Sequence, residues 1–203
     1  ENLGNVTDIC SDKTGTLTEG KMVLTNFWLT NREYSVTSNA ADPTDGSVMM
    51  GEGDAKEEVK QLTSSMHLLA TVASLCNSST LFLKNSQEDV EANAADVDAE
   101  VIADGDQNET KIDMEPEWVS TGDATEIALN AFSQKVNMKK QDLEESTFTQ
   151  KLVDFPFDST IKRMTVIYAK EEEEKESVLV LTKGAPERVL ELCTRYLVND
   201  ELE

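Results

Sequence analysis

Arg163-Met164-Thr165-Val166-Ile167-Tyr168-Ala169, the charged run Glu171 to Glu176, and then Ser177-Val178-Leu179-Val180-Leu181-Thr182 form two apolar, β-branched runs around a short acidic connector. Such side chains suit a pleated, half-buried surface, so the stretch predicts an antiparallel hairpin. Lys183-Gly184-Ala185-Pro186-Glu187 ends the second strand, and Pro186 opens a helix whose apolar face would be Val189, Leu190, Cys193 and Leu197. Upstream, Asp123 to Gln134 reads as a helix, with Asp123 as N-cap and Glu126 three positions on, the spacing of a capping box. Glu57 to Cys76 carries Val59, Leu62, Met66, Leu69, Val72, Ala73 and Cys76 at three- and four-residue steps, an amphipathic helix. Met22 to Leu29 and Glu33 to Thr37 are strand candidates that pair through Thr30-Asn31, and Val6 to Ser11 is a short strand candidate at the front. Strand pairs with interspersed helices give an α+β fold, an antiparallel sheet flanked by helices, rather than repeating βαβ units.

Two segments read as loops: Ser38 to Asp54, rich in Gly, Asp, Ser and Thr, and residues 86–117. The latter holds twelve carboxylates against Lys111 alone and has no aromatic residue, so it buries too little apolar surface to offset its chain entropy. Its carboxylates lack the Asp-x-Asp-x-Asp-Gly spacing of an EF-hand loop. The 203 residues carry 18 Lys and Arg against 40 Asp and Glu, a net charge of −22. Nucleic-acid backbones and anionic lipid surfaces are therefore poor partners, because both are polyanions. Cys10, Cys76 and Cys193 are odd in number and widely spaced, which predicts buried thiols rather than a disulfide frame. No apolar run approaches the ~20 residues of a membrane span. The chain opens on Glu1 with no cationic leader, and a piece of a longer chain is expected.

Asp12-Lys13-Thr14-Gly15-Thr16-Leu17-Thr18 follows the first strand candidate, where open α/β sheets place ligands beyond the strand ends. A lone Asp in a turn commonly does no more than cap it. Here Gly15 admits close backbone approach, and three Thr hydroxyls can bond phosphate oxygens. A carboxylate so placed can attack phosphorus and hold the phosphoryl group as an acyl phosphate, with a divalent cation offsetting the shared charge. Thr14 stands where an acid would serve as proton donor and then water activator, so hydrolysis of the acyl phosphate is expected to be slow.

Cys10-Ser11-Asp12-Lys13-Thr14-Gly15-Thr16-Leu17-Thr18 resembles the phosphorylation signature of P-type ATPases. Gly122-Asp123-Ala124-Thr125-Glu126, then Phe155-Pro156-Phe157-Asp158-Ser159-Thr160-Ile161-Lys162-Arg163-Met164, then Lys183-Gly184-Ala185-Pro186-Glu187 are similar, in the same order, to that family's further nucleotide-site motifs. The resemblance implies that residues 1–21 begin a Rossmann-like phosphorylation domain, and that 22–203 form the nucleotide-binding domain, with the acidic loop at about 86–117. It implies Asp12 as the phosphorylated nucleophile, Lys13 and Thr14 as phosphate contacts, and Asp12 and Thr14 as Mg²⁺ ligands in the full-length protein. Phe157 would stack on adenine, with one of the two neighbouring rings in the core and the other on the base. Glu126 would accept from the adenine amino group or hold a lysine, Lys162, Lys183 and Gly184 would line the pocket, and Met164 would pack beside the ring.

The implied activity is ATP hydrolysis coupled to cation transport in a multi-pass membrane pump whose cytosolic part this would be. ATP, Mg²⁺, the transported cation and the remainder of the pump, with its membrane helices, are the implied partners. The stretch 154–168 looks most like fungal-type sodium/potassium-exporting pumps, with calcium-transporting pumps as the nearest alternative. A soluble haloacid-dehalogenase-type phosphohydrolase is a further alternative, against which Thr14 argues.

Overall fold

The computed structural model describes residues 7–13, 15–38, 42–53, 55–84, 117–146, 150–170, 177–198 and 201–202. The acidic segment therefore lies outside the described residues apart from Glu117, as do Thr14 and the connector 171–176.

Strands β1 (Asn26–Leu29), β2 (Arg32–Val36), β3 (Val48–Met50) and β4 (Glu57–Glu58) form a sheet in sequence order. Helix α1 (Ser64–Leu75) follows, then β5 (Thr80–Lys84), which pairs with β6 (Glu117–Thr121). Helices α2 (Ala124–Lys135) and α3 (Lys140–Ser146) lead into β7 (Gln150–Asp158), β8 (Arg163–Lys170) and β9 (Ser177–Gly184), a three-stranded sheet. The short α4 (Pro186–Leu190) and the pair β10 (Leu197–Val198) and β11 (Glu201–Leu202) complete the described chain. Every pairing is antiparallel, the α+β arrangement that alternating strands and isolated helices lead one to expect.

Two apolar cores are joined by α1. Tyr34, Val36, Val48, Met66, Ala70, Ala73 and Phe132 make the first, where the Phe27 ring lies flat on Tyr34 at 4.8 Å and meets Phe132 edge-on at 5.2 Å. Leu75, Cys76, Met164, Val166, Tyr168 and Leu181 make the second, under the β7–β9 sheet. The helix gives its middle to one cluster and its C-terminal end to the other, so shifting it would disturb both.

Several expected elements differ. The helix expected from Glu57 starts at Ser64, because the Thr63 hydroxyl caps it by accepting the Met66 N–H, while Glu57 and Glu58 pair with Met50 and Met49 as β4. The segment expected as a loop over Ser38–Asp54 contains β3, and Glu117 belongs to a strand rather than to the acidic loop. Residues 7–11 form no strand, since a short lone segment has no ladder partner to satisfy its backbone. The third helix stops at Leu190: Cys193 is exposed and Leu197 lies in β10. Of the three thiols expected to be buried, only Cys76 is.

The β1–β2 hairpin turns through Thr30 (φ 46°) and Asn31 (φ 60°), the two left-handed residues of a type I′ turn. A β-branched Thr is strained there. Replacing the pair by Asn-Gly (Thr30→Asn with Asn31→Gly) is expected to raise the unfolding free energy by about 1 kcal/mol. Urea denaturation of the two proteins measures it, and an unchanged midpoint would show the turn to be unstrained.

Candidate functional site

The motifs expected to bind nucleotide converge on one end of the β7–β9 sheet. β7 ends at Asp158, whose carboxylate accepts the Thr160 N–H at 2.6 Å while its carbonyl accepts the Lys162 N–H at 2.7 Å. These bonds wrap Asp158–Arg163 into a tight turn, with Lys162 at φ 52° and Asp158 opposite Arg163. The Thr160 N–H, with its hydroxyl, holds the Asp158 carboxyl below the usual carboxylate range.

At the end of β9, Gly184 faces Arg163, and a Cβ on it would stand 2.4 Å from the Lys162 carbonyl oxygen and 2.7 Å from the Arg163 Cα. Only glycine allows the two strand ends to close, and the Ala185 N–H then donates to that same Lys162 carbonyl at 2.9 Å. Lys183 lies opposite Met164, so both side chains leave the covered face of the sheet. Met164 is 2% exposed within the second core and backs Lys183 from below.

The Lys183 ammonium meets the Glu126 carboxylate at 2.6 Å, the two side chains retaining 19% and 15% exposure. Glu126 sits in the first turn of α2, where Asp123 Oδ1 accepts the N–H groups of Thr125 (2.8 Å) and Glu126 (3.4 Å). The capping box is used on that side, while the Glu126 carboxylate turns to Lys183 and, through Oε2, to the Ser78 N–H at 3.2 Å. Gly122, just before the cap, has φ 123°, and a Cβ there would lie 2.9 Å from the Ser79 Cβ. The Gly-Asp pair thus seats the helix start against Ser79.

Phe157 is 60% exposed and Phe155 54%. The expectation that one ring enters the core is corrected: both rings lie in the open, on a strand whose pairing with β8 shifts register between Phe155 and Asp158. Phe157 and the exposed Lys162 and Gly184 make up the open end of the sheet, a shelf that also carries the Glu126–Lys183 pair. A flat aromatic face can stack a base, and ammonium groups can meet phosphate oxygens. Cys76, near Lys183, is fully buried with its pKa raised by that burial, so it packs as a neutral thiol.

Asp12 and Lys13 are exposed, and Gly15 (φ 78°) helps turn the chain so that Leu17 and Thr18 donate N–H groups to the Lys13 carbonyl at 3.0 and 3.2 Å. Among the described residues no hydrogen bond or ion pair joins Asp12 or Lys13 to the Glu126–Lys183 site. No group of three or more His, Cys, Asp or Glu side chains among them is placed to hold a metal. A lone exposed carboxylate does not fit the near-octahedral oxygen shell that Mg²⁺ demands, so no step through that ion follows from these residues. Sequence reasoning missed Asn77, buried beneath Glu126. Its only local signal is the polar run Asn77-Ser78-Ser79 closing an apolar helix.

Residues 97–203 match a family model described as P-type ATPase, cytoplasmic domain N. The chain is 40% identical over 211 residues to the sodium/potassium exporting P-type ATPase cta3 of Schizosaccharomyces pombe, covering 96% of this chain and 17% of that protein. It is 31% identical over 201 residues to the sodium/potassium-transporting ATPase subunit alpha-4 of Homo sapiens, and 29% over 201 residues to the potassium-transporting ATPase alpha chain 1 of Xenopus laevis. Each of these two covers 99% of this chain and 16% of the relative. The chain thus spans about a sixth of the length of the curated relatives it matches. No helix among the described residues is long and apolar enough to cross a membrane.

Two outcomes separate scaffold from surface here. Met164→Ala is expected to cost about 2–5 kcal/mol of stability as a core truncation. Phe157→Ala, on an exposed ring, should stay within about 0.5 kcal/mol. Chemical denaturation decides both, and a large loss at Phe157 would show its ring to be structural.

The Asp123 carboxyl is held below its usual pKa, chiefly by the Thr125 N–H. A depressed folded-state pKa gives stability that is complete above the unfolded value of ~3.9 and is lost as pH falls through the folded one. Asp123→Asn keeps a good cap without a titrating group. The stability of the natural protein relative to this variant should therefore fall below about pH 4. Denaturation midpoints between pH 2 and 6 read it, and a pH-independent difference would remove the ionised cap.

Proposed function

Because the chain belongs to the family of the P-type ATPase cytoplasmic domain N, we propose that it is the adenine-nucleotide-binding part of an ATP-driven cation pump. Residues 22–203 are read as the nucleotide-binding domain, and residues 1–21 as the leading piece of a Rossmann-like phosphorylation domain that carries Asp12 as phosphoryl acceptor. The observation that carries the reading is the sheet end where an exposed Phe157 ring stands with Lys162, Gly184 and the Glu126–Lys183 pair.

The base stacks on Phe157, worth ~1–3 kcal/mol. The anionic phosphates lie toward the lysines, which give local positive potential on a chain of net charge −22. Glu126 holds Lys183 in place or accepts from the adenine amino group. Lys13 and Thr14 serve the phosphate at Asp12; in the full-length protein Asp12 and Thr14 would hold Mg²⁺ only together with groups from outside this chain, and the ion would there offset the charge of the phosphate. The domain works on the cytosolic side of a membrane-spanning pump. Two relatives are named for sodium and potassium together, and on that likeness the transported ions are Na⁺ and K⁺.

ATP should bind this chain weakly, with Kd about 0.1–1 mM, and Mg²⁺ should change that little. Phe157→Ala should weaken binding by about tenfold or more, the loss of one stacked base, whereas Asp12→Asn should leave it almost unchanged. Calorimetric or NMR titration of the three proteins measures this, and equal affinity in all of them would take Phe157 out of the site. For the ion, the full-length protein should restore growth of a salt-sensitive host in high Na⁺. Rescue of calcium handling instead would overturn the alkali-cation reading.

A further inference from the structure

Asn77 is 3% exposed, and every hydrogen-bonding position of its side-chain amide is used. Nδ2 donates to the Ala73 carbonyl at 3.0 Å and to the Glu126 carbonyl at 2.8 Å. Oδ1 accepts the Ser79 N–H at 2.8 Å and the Ser79 hydroxyl at 2.7 Å. Its own carbonyl accepts the Lys140 ammonium at 3.0 Å, and Asn130 Nδ2 donates to the Ser79 carbonyl at 3.1 Å. The next residue closes the arrangement, because the Ser78 N–H donates to Glu126 Oε2.

Glu126 is therefore gripped twice by one short turn, at its main-chain carbonyl by the Asn77 amide and at its carboxylate by the Ser78 backbone. The remaining carboxylate oxygen, Oε1, is the one that holds Lys183. A buried polar network with every member satisfied is rigid, and a half-satisfied one is not. A residue that only closed α1 would need its bonds to Ala73 and Ser79; the bond to Glu126, 49 positions along the chain, is beyond that need.

We infer that Asn77 is a positioning residue for Lys183, fixing through Glu126 where that ammonium stands at the edge of the nucleotide shelf. Its bearing on ATP rests on the nucleotide-binding reading above, whereas its hold on Lys183 does not. Asn77→Asp keeps the size and the acceptor for Ser79 while removing the donors to Glu126 and to Ala73.

The nucleotide-free experiment is trace acylation of lysine amines, read residue by residue by mass spectrometry, with exposed Lys21 as reference. In Asn77→Asp, Lys183 should label about three- to tenfold faster, the worth of one buried hydrogen bond, with Lys21 unchanged. An unchanged Lys183 rate in the folded variant overturns the inference. If Asn77→Asp does not fold, Asn77→Ser removes the amide donor to Glu126 without adding a charge. Faster Lys183 labelling in that variant supports the inference, and an unchanged rate overturns it.

A second arm is a double-mutant cycle. Asn77→Asp should weaken ATP binding about three- to tenfold when Lys183 is present, and less than about twofold in a Lys183→Met background. Additive losses would mean that Asn77 acts only on general stability and would overturn the inference. Should Phe157→Ala bind ATP as the natural protein does, the nucleotide reading fails, and the Lys183 labelling rate still decides the positioning role.

Discussion

A carboxylate and an ammonium 2.6 Å apart, largely withdrawn from water, tie the first turn of α2 to the last turn-facing residue of β9. Such a pair adds little net stability over an apolar replacement, but losing one partner strands a buried charge at a cost of about 3–5 kcal/mol. Its use here is geometric. Glu126 belongs to the helix packed with α1 on the first core, and Lys183 belongs to the sheet over the second. The contact registers the two halves against each other at the point where the shelf opens.

The local conformations at that end serve the same closure. Gly184 lets β9 approach the Lys162 carbonyl, Gly122 lets the helix start approach Ser79, and Lys162 takes a left-handed φ to finish the Asp158–Arg163 turn. A left-handed φ at a non-glycine residue is paid for by the surrounding bonds: the Lys162 N–H to the Asp158 carbonyl, and the Ala185 N–H to the Lys162 carbonyl. The motif residues are thus a set of close approaches, each needing the others.

Much of this was legible where the physics is local. The 163–182 hairpin follows from β-branched residues on either side of a polar connector, and the α2 cap from an Asp three positions before a Glu. The 3.6-residue pattern from Glu57 misled because Val59 and Leu62 pack against the first core from outside a helix, and periodicity alone does not register the Thr63 cap. The β5–β6 ladder was not legible: its strands lie on either side of residues 85–116, and no local pattern reports a partner that far along the chain. Asn77 was hidden for the same reason, since two of its bonds reach Glu126 and Lys140 in distant elements. Phe157 could be picked out by its motif, but its exposure beside an equally exposed Phe155 is a property of the finished sheet.

Charge bears on the shelf in a way that composition alone hides. Lys183 is already matched by Glu126, and Asp158, ionised by its bonds to Thr160, stands next to Phe157 in the chain. Among the described residues, the positive charge at the sheet end without an ion pair is therefore carried by Lys162 and Arg163, on a molecule that repels anions overall. A polyanionic ligand gains little long-range attraction from such a surface. What remains is short-range: the exposed ring face of Phe157, and a Lys183 ammonium held by the Glu126 carboxylate. On the nucleotide-binding reading proposed above, recognition built this way would select for the flat base and the local arrangement of the phosphates rather than for negative charge as such, and so would depend on the rigidity of the polar turn beneath Glu126.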